Sequence, residues 1–309
     1  ADVRSYTSDE LTALLPLPER EANKYTRGVL FAVVGSAQYP GAACLAGTAG
    51  QRTGAGYTRV TTAPEAEDLV RSCSPSLVVR SFEGLAAADL PVARDGHPAA
   101  CVVGCGFDPN DEKKRALVHL VLKHAAAPVL VDGGALQTLA SSKGRRLLRR
   151  RFVNGWPTVV TPHAGEAARL AKPFDLPVDD HAELAHAIAL AYGVIAAVKG
   201  PETFVSDGEQ IVRMAEGTPA LAKAGRGDVL AGMVGALLAQ GLDPLDAAVL
   251  GATLHARAGR AAEALMTSIA TTAEDVIDAI PAALRSFRCA VGEQDPSVGA
   301  QAAPARSGV

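Results

Sequence analysis

Aromatic residues are scarce in this chain, and net charge is nearly absent. Phe, Tyr and Trp make up 4% of 309 residues, and the formal net charge is −3. The first scarcity removes the stacking platforms that hold single-stranded nucleic acid. The second leaves no electrostatic case for nucleic acid or an anionic membrane as partner. No run is long and apolar enough to span a membrane, and Ala1-Asp2-Val3-Arg4 does not open a signal peptide. Cysteines number five, at Cys44, Cys73, Cys101, Cys105 and Cys289. They are odd in number and scattered, with no zinc-knuckle pair among them. The expectation is therefore of small buried apolar residues in a reducing, cytoplasmic setting.

What is abundant is alanine and glycine, set between short β-branched runs. Residues 1–27 are polar and proline-bearing. They read as a leader that docks on the domain, or as the stub of a linker. A single continuous domain is expected over 28–289, and 290–309, without periodicity, as a disordered tail. Strands are predicted at Val29–Gly35, Tyr57–Thr61, Ala100–Gly104, Pro128–Asp132, Thr158–Thr161 and Ile195–Lys199. They are apolar on both faces, as strands buried between helix layers should be. Helices are predicted at Gly41–Arg52, Glu112–Ala126, Ala182–Tyr192, Asp228–Gln240 and Pro244–Ala264. Thr203–Ser206 and Gln210–Met214, joined by Asp207-Gly208, read as a hairpin. Alternating β and α over this length predicts an α/β doubly wound, mostly parallel sheet with helices on both faces and an antiparallel edge. Ligands then sit beyond the carboxyl ends of the strands.

The strand ends carry the chemistry. Ala224-Gly225-Arg226-Gly227-Asp228-Val229-Leu230-Ala231-Gly232 leads from a small-residue turn into an apolar helix. Such a turn lets backbone N–H groups and a helix dipole meet an anion. Asp228 either takes a proton from a substrate hydroxyl beside that anion or merely caps the helix. Gly35-Ser36 to Gly41-Ala42 and Gly104-Cys105-Gly106-Phe107-Asp108 are loops that permit close approach of a ligand. Asp132, ending its strand before Gly133-Gly134, is read as a cap of the next turn rather than a holder of metal-bound water. His163 and Glu166 share a face at a helix start, placed to bind substrate and to organise hydrated Mg2+. Lys199 is a candidate phosphate partner, and His255 is assigned to packing.

These motifs occur together in order: Lys24-Tyr25-x-Arg27-Gly28, Gly35-Ser36…Tyr39-x-Gly41-Ala42, Thr53-Gly54-Ala55-Gly56, Thr161-Pro162-His163-x-Gly165-Glu166, Lys199-Gly200-x-x-Thr203 and Ala224-Gly225-x-Gly227-Asp228. Over residues 24–265 the sequence resembles the ADP/ATP-dependent NAD(P)H-hydrate dehydratases, a branch of the ribokinase-like superfamily. The resemblance implies an enzyme that phosphorylates the hydroxyl of hydrated NADH or NADPH from ADP or ATP and then eliminates phosphate. It implies Asp228 as the base, with Gly225 and Gly227 offering amides to the transferred phosphoryl group. It implies a nucleotide site of Lys199, Gly200, Pro201, Glu202, Thr203 and Gly227. Ala42, Gly106, Asp108, His163 and Asp228 would contact the hydrate, and Glu166 would place Mg2+. It further implies a homo-oligomer and a functional link to an epimerase for the hydrate.

Three positions depart from the family pattern. Arg226 stands where Thr is usual, and can clamp phosphate, fill the anion site or pair with a carboxylate. Gly104-Cys105-Gly106-Phe107-Asp108 replaces Gly-Pro-Gly-Leu-Gly, and Asp132-Gly133-Gly134 replaces Asp-Ala-Asp. The competing readings are a small-molecule kinase of the same superfamily, acting on a thiazole or pyrimidine alcohol, and a catalytically idle nucleotide-binding protein.

Overall fold

Burial on both faces explains the sheet at the centre of the molecule. In the strand Ala99–Val103 every residue is buried. Ala100 and Val102 project into one helix layer, Cys101 and Val103 into the other, as the period of two requires. The computed structural model describes residues 2–289; the expected tail 290–309 lies outside the described residues.

In chain order, β1 (Val3–Arg4) and α1 (Ser8–Ala13) precede β2 (Val29–Val33), α2 (Gly41–Arg52), β3 (Tyr57–Thr62), α3 (Glu67–Cys73) and β4 (Val78–Ser81). Next come β5 (Ala99–Val103), α4 (Glu112–His124), β6 (Val129–Val131), α5 (Leu136–Leu139), α6 (Ser142–Val153) and β7 (Thr158–Val160). α7 (Ala164–Ala171), α8 (His181–Tyr192), β8 (Ile195–Val198), β9 (Thr203–Ser206) and β10 (Ile211–Met214) follow. α9 (Arg226–Ala239), α10 (Pro244–Ala270) and α11 (Ala273–Cys289) close the described chain.

The ten strands form one sheet in the order β1-β10-β9-β8-β7-β6-β5-β2-β3-β4. β2 to β8 are parallel and β9 runs against them. From β2 the chain winds outward to β4, then returns to β5 and winds the other way. The switch point therefore lies between β2 and β5, where a ligand crevice is expected. The leader docks on the domain: β1 pairs with β10, Leu11 is buried, and the Tyr6 hydroxyl donates to Asp246 at 2.6 Å.

One face is covered by α2, α9, α10 and α11, the other by α4 to α8. α9 crosses α2 at backbone distance, since a Cβ at Gly232 would lie 2.2 Å from the Ala46 carbonyl oxygen. On the opposite face the fully buried Arg151 ties α6 to the strand entrances. It donates to Thr158 Oγ1 (2.9 Å) and to the carbonyls of Ala125 (2.7 Å), Ala127 (2.6 Å) and Pro157 (3.2 Å). Burial lowers its pKa to about 10, which leaves it charged at neutral pH. Arg151→Met would strand these acceptors, so a loss of about 2–4 kcal/mol is expected in denaturant unfolding. A loss below about 1 kcal/mol would show that water replaces the guanidinium.

Candidate active site

Helix α9 is the anchor. Gly225, in the left-handed region at φ +85°, occupies its N-cap, and the helix begins at Arg226, two residues before the predicted start. The first helical bond runs from the Val229 N–H to the Gly225 carbonyl. The amides of Arg226, Gly227 and Asp228 therefore point out of the helix end. With Gly225 as cap, Asp228 is third in the helix and does not cap it. Its carboxyl is instead pushed up to about 6, by burial and then by the charge of Asp132, against the opposing pull of the Cys105 thiol and Lys199. Asp228, Asp132 and Cys105 each place one polar atom within 4.8 Å of the others.

The ends of β6, β7 and β8 build the floor. Asp132 makes no cap bond to the turn that follows, so the capping expectation is corrected. Its Oδ1 accepts instead from Thr161 Oγ1 at 2.7 Å and from Lys199 Nζ at 2.9 Å. Burial works against the Lys199 ammonium, but the charges of Asp132 and Glu166 outweigh it and raise its pKa. A Cβ at Gly227 would lie 3.4 Å from both Lys199 Nζ and Asp132 Oδ2, so the ammonium sits beside the helix end. His163 caps α7. Its Nδ1 accepts from the Gly165 N–H, and its own N–H donates to Glu166 Oε2 at 2.9 Å. Burial and the Asp132 charge raise Glu166.

These groups open on a cavity of about 860 Å³. Lys199, Gly200, Pro201, Thr203, Gly225, Gly227, Asp228, His163 and Glu166 all line it. Glu202 does not; it turns outward to an ion pair with Arg213. The far wall is the segment 217–223 with Met214, joined to the motif residues Ala224 and Leu230. Sequence reasoning missed the segment 217–223, because its residues carry no motif. Arg226 also lines this cavity, and among the described residues it makes no ion pair with a carboxylate. It is buried and donates to the carbonyls of Ala220 (3.3 Å) and Thr271 (2.7 Å), tying the wall to the turn between α10 and α11. His255, expected to pack, is buried yet faces the cavity. Its Nε2 has no partner among the described residues, and burial holds its pKa at about 3. At the switch point Gly106 and Asp108 line a second hollow of about 410 Å³ with Gln38, Tyr39, Phe107 and Pro109. Ala42 lies beneath it: a Cβ at Gly106 would be 2.7 Å from the Ala42 Cβ. A third hollow, of about 230 Å³ and lined by Phe107, Gly133, Gly134 and Glu166 among others, lies between the two.

The family described as NAD(P)H-hydrate dehydratase matches residues 30–282. The chain belongs to the NAD(P)H-hydrate dehydratase family. It is 33% identical over 291 residues to the ADP-dependent (S)-NAD(P)H-hydrate dehydratase of Xanthomonas campestris, covering 91% of this chain and 96% of that one. It is 36% identical over 272 residues to the bifunctional NAD(P)H-hydrate repair enzyme Nnr of Gloeobacter violaceus, covering 86% of this chain but 51% of that relative. The chain thus spans about half the length of this bifunctional relative. Among solved structures, the ADP/ATP-dependent NAD(P)H-hydrate dehydratase of Bacillus subtilis, co-crystallised with ATP/Mg2+, superposes with a TM-score of 0.76. It is 27% identical, with 93% of this chain and 99% of that one covered.

Within an NAD(P)H-hydrate dehydratase frame, the departures are local. Arg226 acts as a tie between elements. Cys105 brings a thiol to Asp228 where the family pattern has Pro. Asp108 turns back on its own loop, accepting from the Asn110 N–H at 2.8 Å.

Proposed function

We propose that this dehydratase restores NADH or NADPH from the S epimer of its hydrate, consuming ADP or ATP. Hydroxide is a poor leaving group and phosphate a good one, so a kinase-type site serves a net dehydration. The observation that carries the reading is Asp228, poised at about 6 between the free amides of α9 and Lys199 at the head of the large cavity. The nucleotide lies along Lys199, Gly200, Pro201 and Thr203. The hydrated nicotinamide enters from the side of Ala42, Gly106, Asp108 and His163. Asp228 accepts the hydroxyl proton, and the amides at Gly225 and Gly227, with the Lys199 ammonium, hold the transferred phosphoryl oxygens. Glu202 stays with Arg213 at the rim.

Glu166 and Asp132 fit a hydrated Mg2+: both offer hard carboxylate oxygens to one cavity, and burial and then the Asp132 charge raise the Glu166 carboxyl. Mg2+, when bound, neutralises charge on the nucleotide phosphates. The wider setting belongs to the same reading: a homo-oligomer in the cytoplasm, working with an epimerase that supplies the S epimer. Among the described residues no helix is long and apolar enough to cross a membrane.

The test is recovery of reduced-nicotinamide absorbance from purified NADH hydrate and NADPH hydrate with Mg2+, run with ADP, with ATP and without nucleotide. Nucleotide-dependent recovery with stoichiometric phosphate release is expected. Nucleotide binding without recovery would sink the reading in favour of a kinase with another acceptor.

A further inference from the structure

Two sets of side chains stand outside the chemistry described so far. The cysteines are one. Cys44 is half-buried and Cys73 exposed, which corrects the expectation of buried cysteines for these two, and among the described residues no cysteine lines the large cavity. The other set is a pair of cations that does line it. Lys223 is exposed, whereas Arg226 is only 3% exposed. The Lys223 ammonium donates to the carbonyls of Ile269 and, at 3.1 Å, Thr271. Arg226 Nη2 donates to the same Thr271 carbonyl at 2.7 Å. Both cations thus converge on one oxygen, so their charges lie within a few ångströms of each other. Among the described residues neither forms an ion pair with a carboxylate. Glu274 and Asp275 act on Arg226 through space, but Asp275 is already taken up by the Thr272 N–H and Oγ1, both at 2.7 Å. Donors remain to spare. Arg226 Nε goes to the Ala220 carbonyl, Nη1 has no protein partner among the described residues, and an ammonium carries a third N–H. The turn that offers the carbonyls is strained. Thr267 has φ +70°, which a β-branched residue rarely adopts and which persists only where its surroundings hold it.

We propose that Lys223 and Arg226 form a second anion position in the large cavity, which holds the nucleotide's phosphates beyond the α-phosphate. Two like charges set side by side without a carboxylate attract an anion. Lys199 cannot supply that attraction alone, because its charge is already shared with Asp132 at 2.9 Å. A nucleoside di- or triphosphate brings several negative charges, and a guanidinium with an adjacent ammonium answers them with a planar fork and a point charge. Arg226 is the first residue of α9, so the pair adjoins the amides that face the transferred phosphoryl group. The carbonyls of Ala220, Ile269 and Thr271 fix where the two cations stand, and the strained turn keeps two of those carbonyls aimed at them. The assignment rests on the dehydratase reading for the direction in which the nucleotide lies.

The experiment is calorimetric titration of the protein with AMP, ADP and ATP in the presence of Mg2+, for wild type, Lys223→Gln and Arg226→Thr. Lys223 is exposed, so Lys223→Gln should fold as the wild type does, and thermal unfolding checks both variants. In Lys223→Gln the affinity for ATP and for ADP should fall about tenfold, the usual cost of one charge-assisted hydrogen bond. The affinity for AMP should fall by less than about twofold. Arg226→Thr should repeat this pattern, and Lys223→Arg, which keeps the charge, should hold ATP within about threefold of wild type. Unchanged ATP affinity in a folded Lys223→Gln would overturn the site. An equal loss for AMP would overturn it too, by showing that the residue shapes the wall and does not hold the terminal phosphates. A wild type that binds none of the three nucleotides would sink the dehydratase reading itself, and this site with it.

Discussion

Asp228→Asn is expected to lower kcat by about 10²–10⁴-fold, the usual contribution of a positioned general base. Nucleotide affinity should barely change, because the amides and Lys199 are untouched. Wild-type turnover should rise with pH and level off above about 6, where Asp228 is ionised; below that, it should fall about tenfold per unit. The variant should lack this limb. Stability should move the other way. A carboxyl whose folded pKa is raised contributes stability below its unfolded value near 4, and that contribution is lost as pH rises through about 6. Ionised Asp228 therefore strains the fold, by as much as about 2–3 kcal/mol at neutral pH. Asn removes that strain, so thermal unfolding of the variant at pH 8 should come at higher temperature. Turnover within threefold of wild type would remove Asp228 as the base.

Lys199→Met carries the second large effect. It removes the ammonium beside Gly227 and leaves Asp132 Oδ1 with Thr161 as its side-chain donor among the described residues. Asp132, Asp228 and Glu166 would then face a single cavity without that cation. The kcat/KM for nucleotide is expected to fall about 10²–10³-fold, as for loss of an oxyanion donor. Lys199 also holds Asp228 down, so the acid limb should move above 6 in the variant. A lowered rate with an unmoved limb would place Lys199 on the nucleotide alone. Lys199→Arg should rescue poorly, because the planar fork does not fit between Asp132 Oδ2 and Gly227.

Much of this arrangement was legible before folding was considered. The parallel strands buried on both faces announce themselves as β-branched runs, and α2 keeps its predicted bounds because glycine-bearing turns flank it. Element ends shift by a residue or more where strand and loop are equally apolar; the first strand stops at Val33 rather than Gly35. β4 escaped notice because Arg80 and Ser81 leave an edge strand little apolar pattern, and the two-residue β1 has none. At the site, glycine motifs locate the helix end, but pairing is a tertiary fact. Nothing local to Asp132 shows that Lys199, far along the chain, donates to it. Arg226 illustrates the same point: nothing local to the motif shows that its side chain donates to the carbonyls of Ala220 and Thr271.

The division of hollows across the sheet has a consequence for how such an enzyme can change. The loops beyond β2 and β5 line one hollow, and the segments beyond β8 and β10 line the large one. Glu166 belongs to the large cavity and to the small hollow between them. If the hydrate and the nucleotide occupy these hollows as proposed, substitutions at Gln38, Tyr39 or Asp108 should retune the acceptor without rewriting the donor side, and those at Met214 or Leu221 the reverse. On the proposed reading the two specificities are free to drift separately, while Glu166, shared by the large cavity and the small hollow, stays fixed.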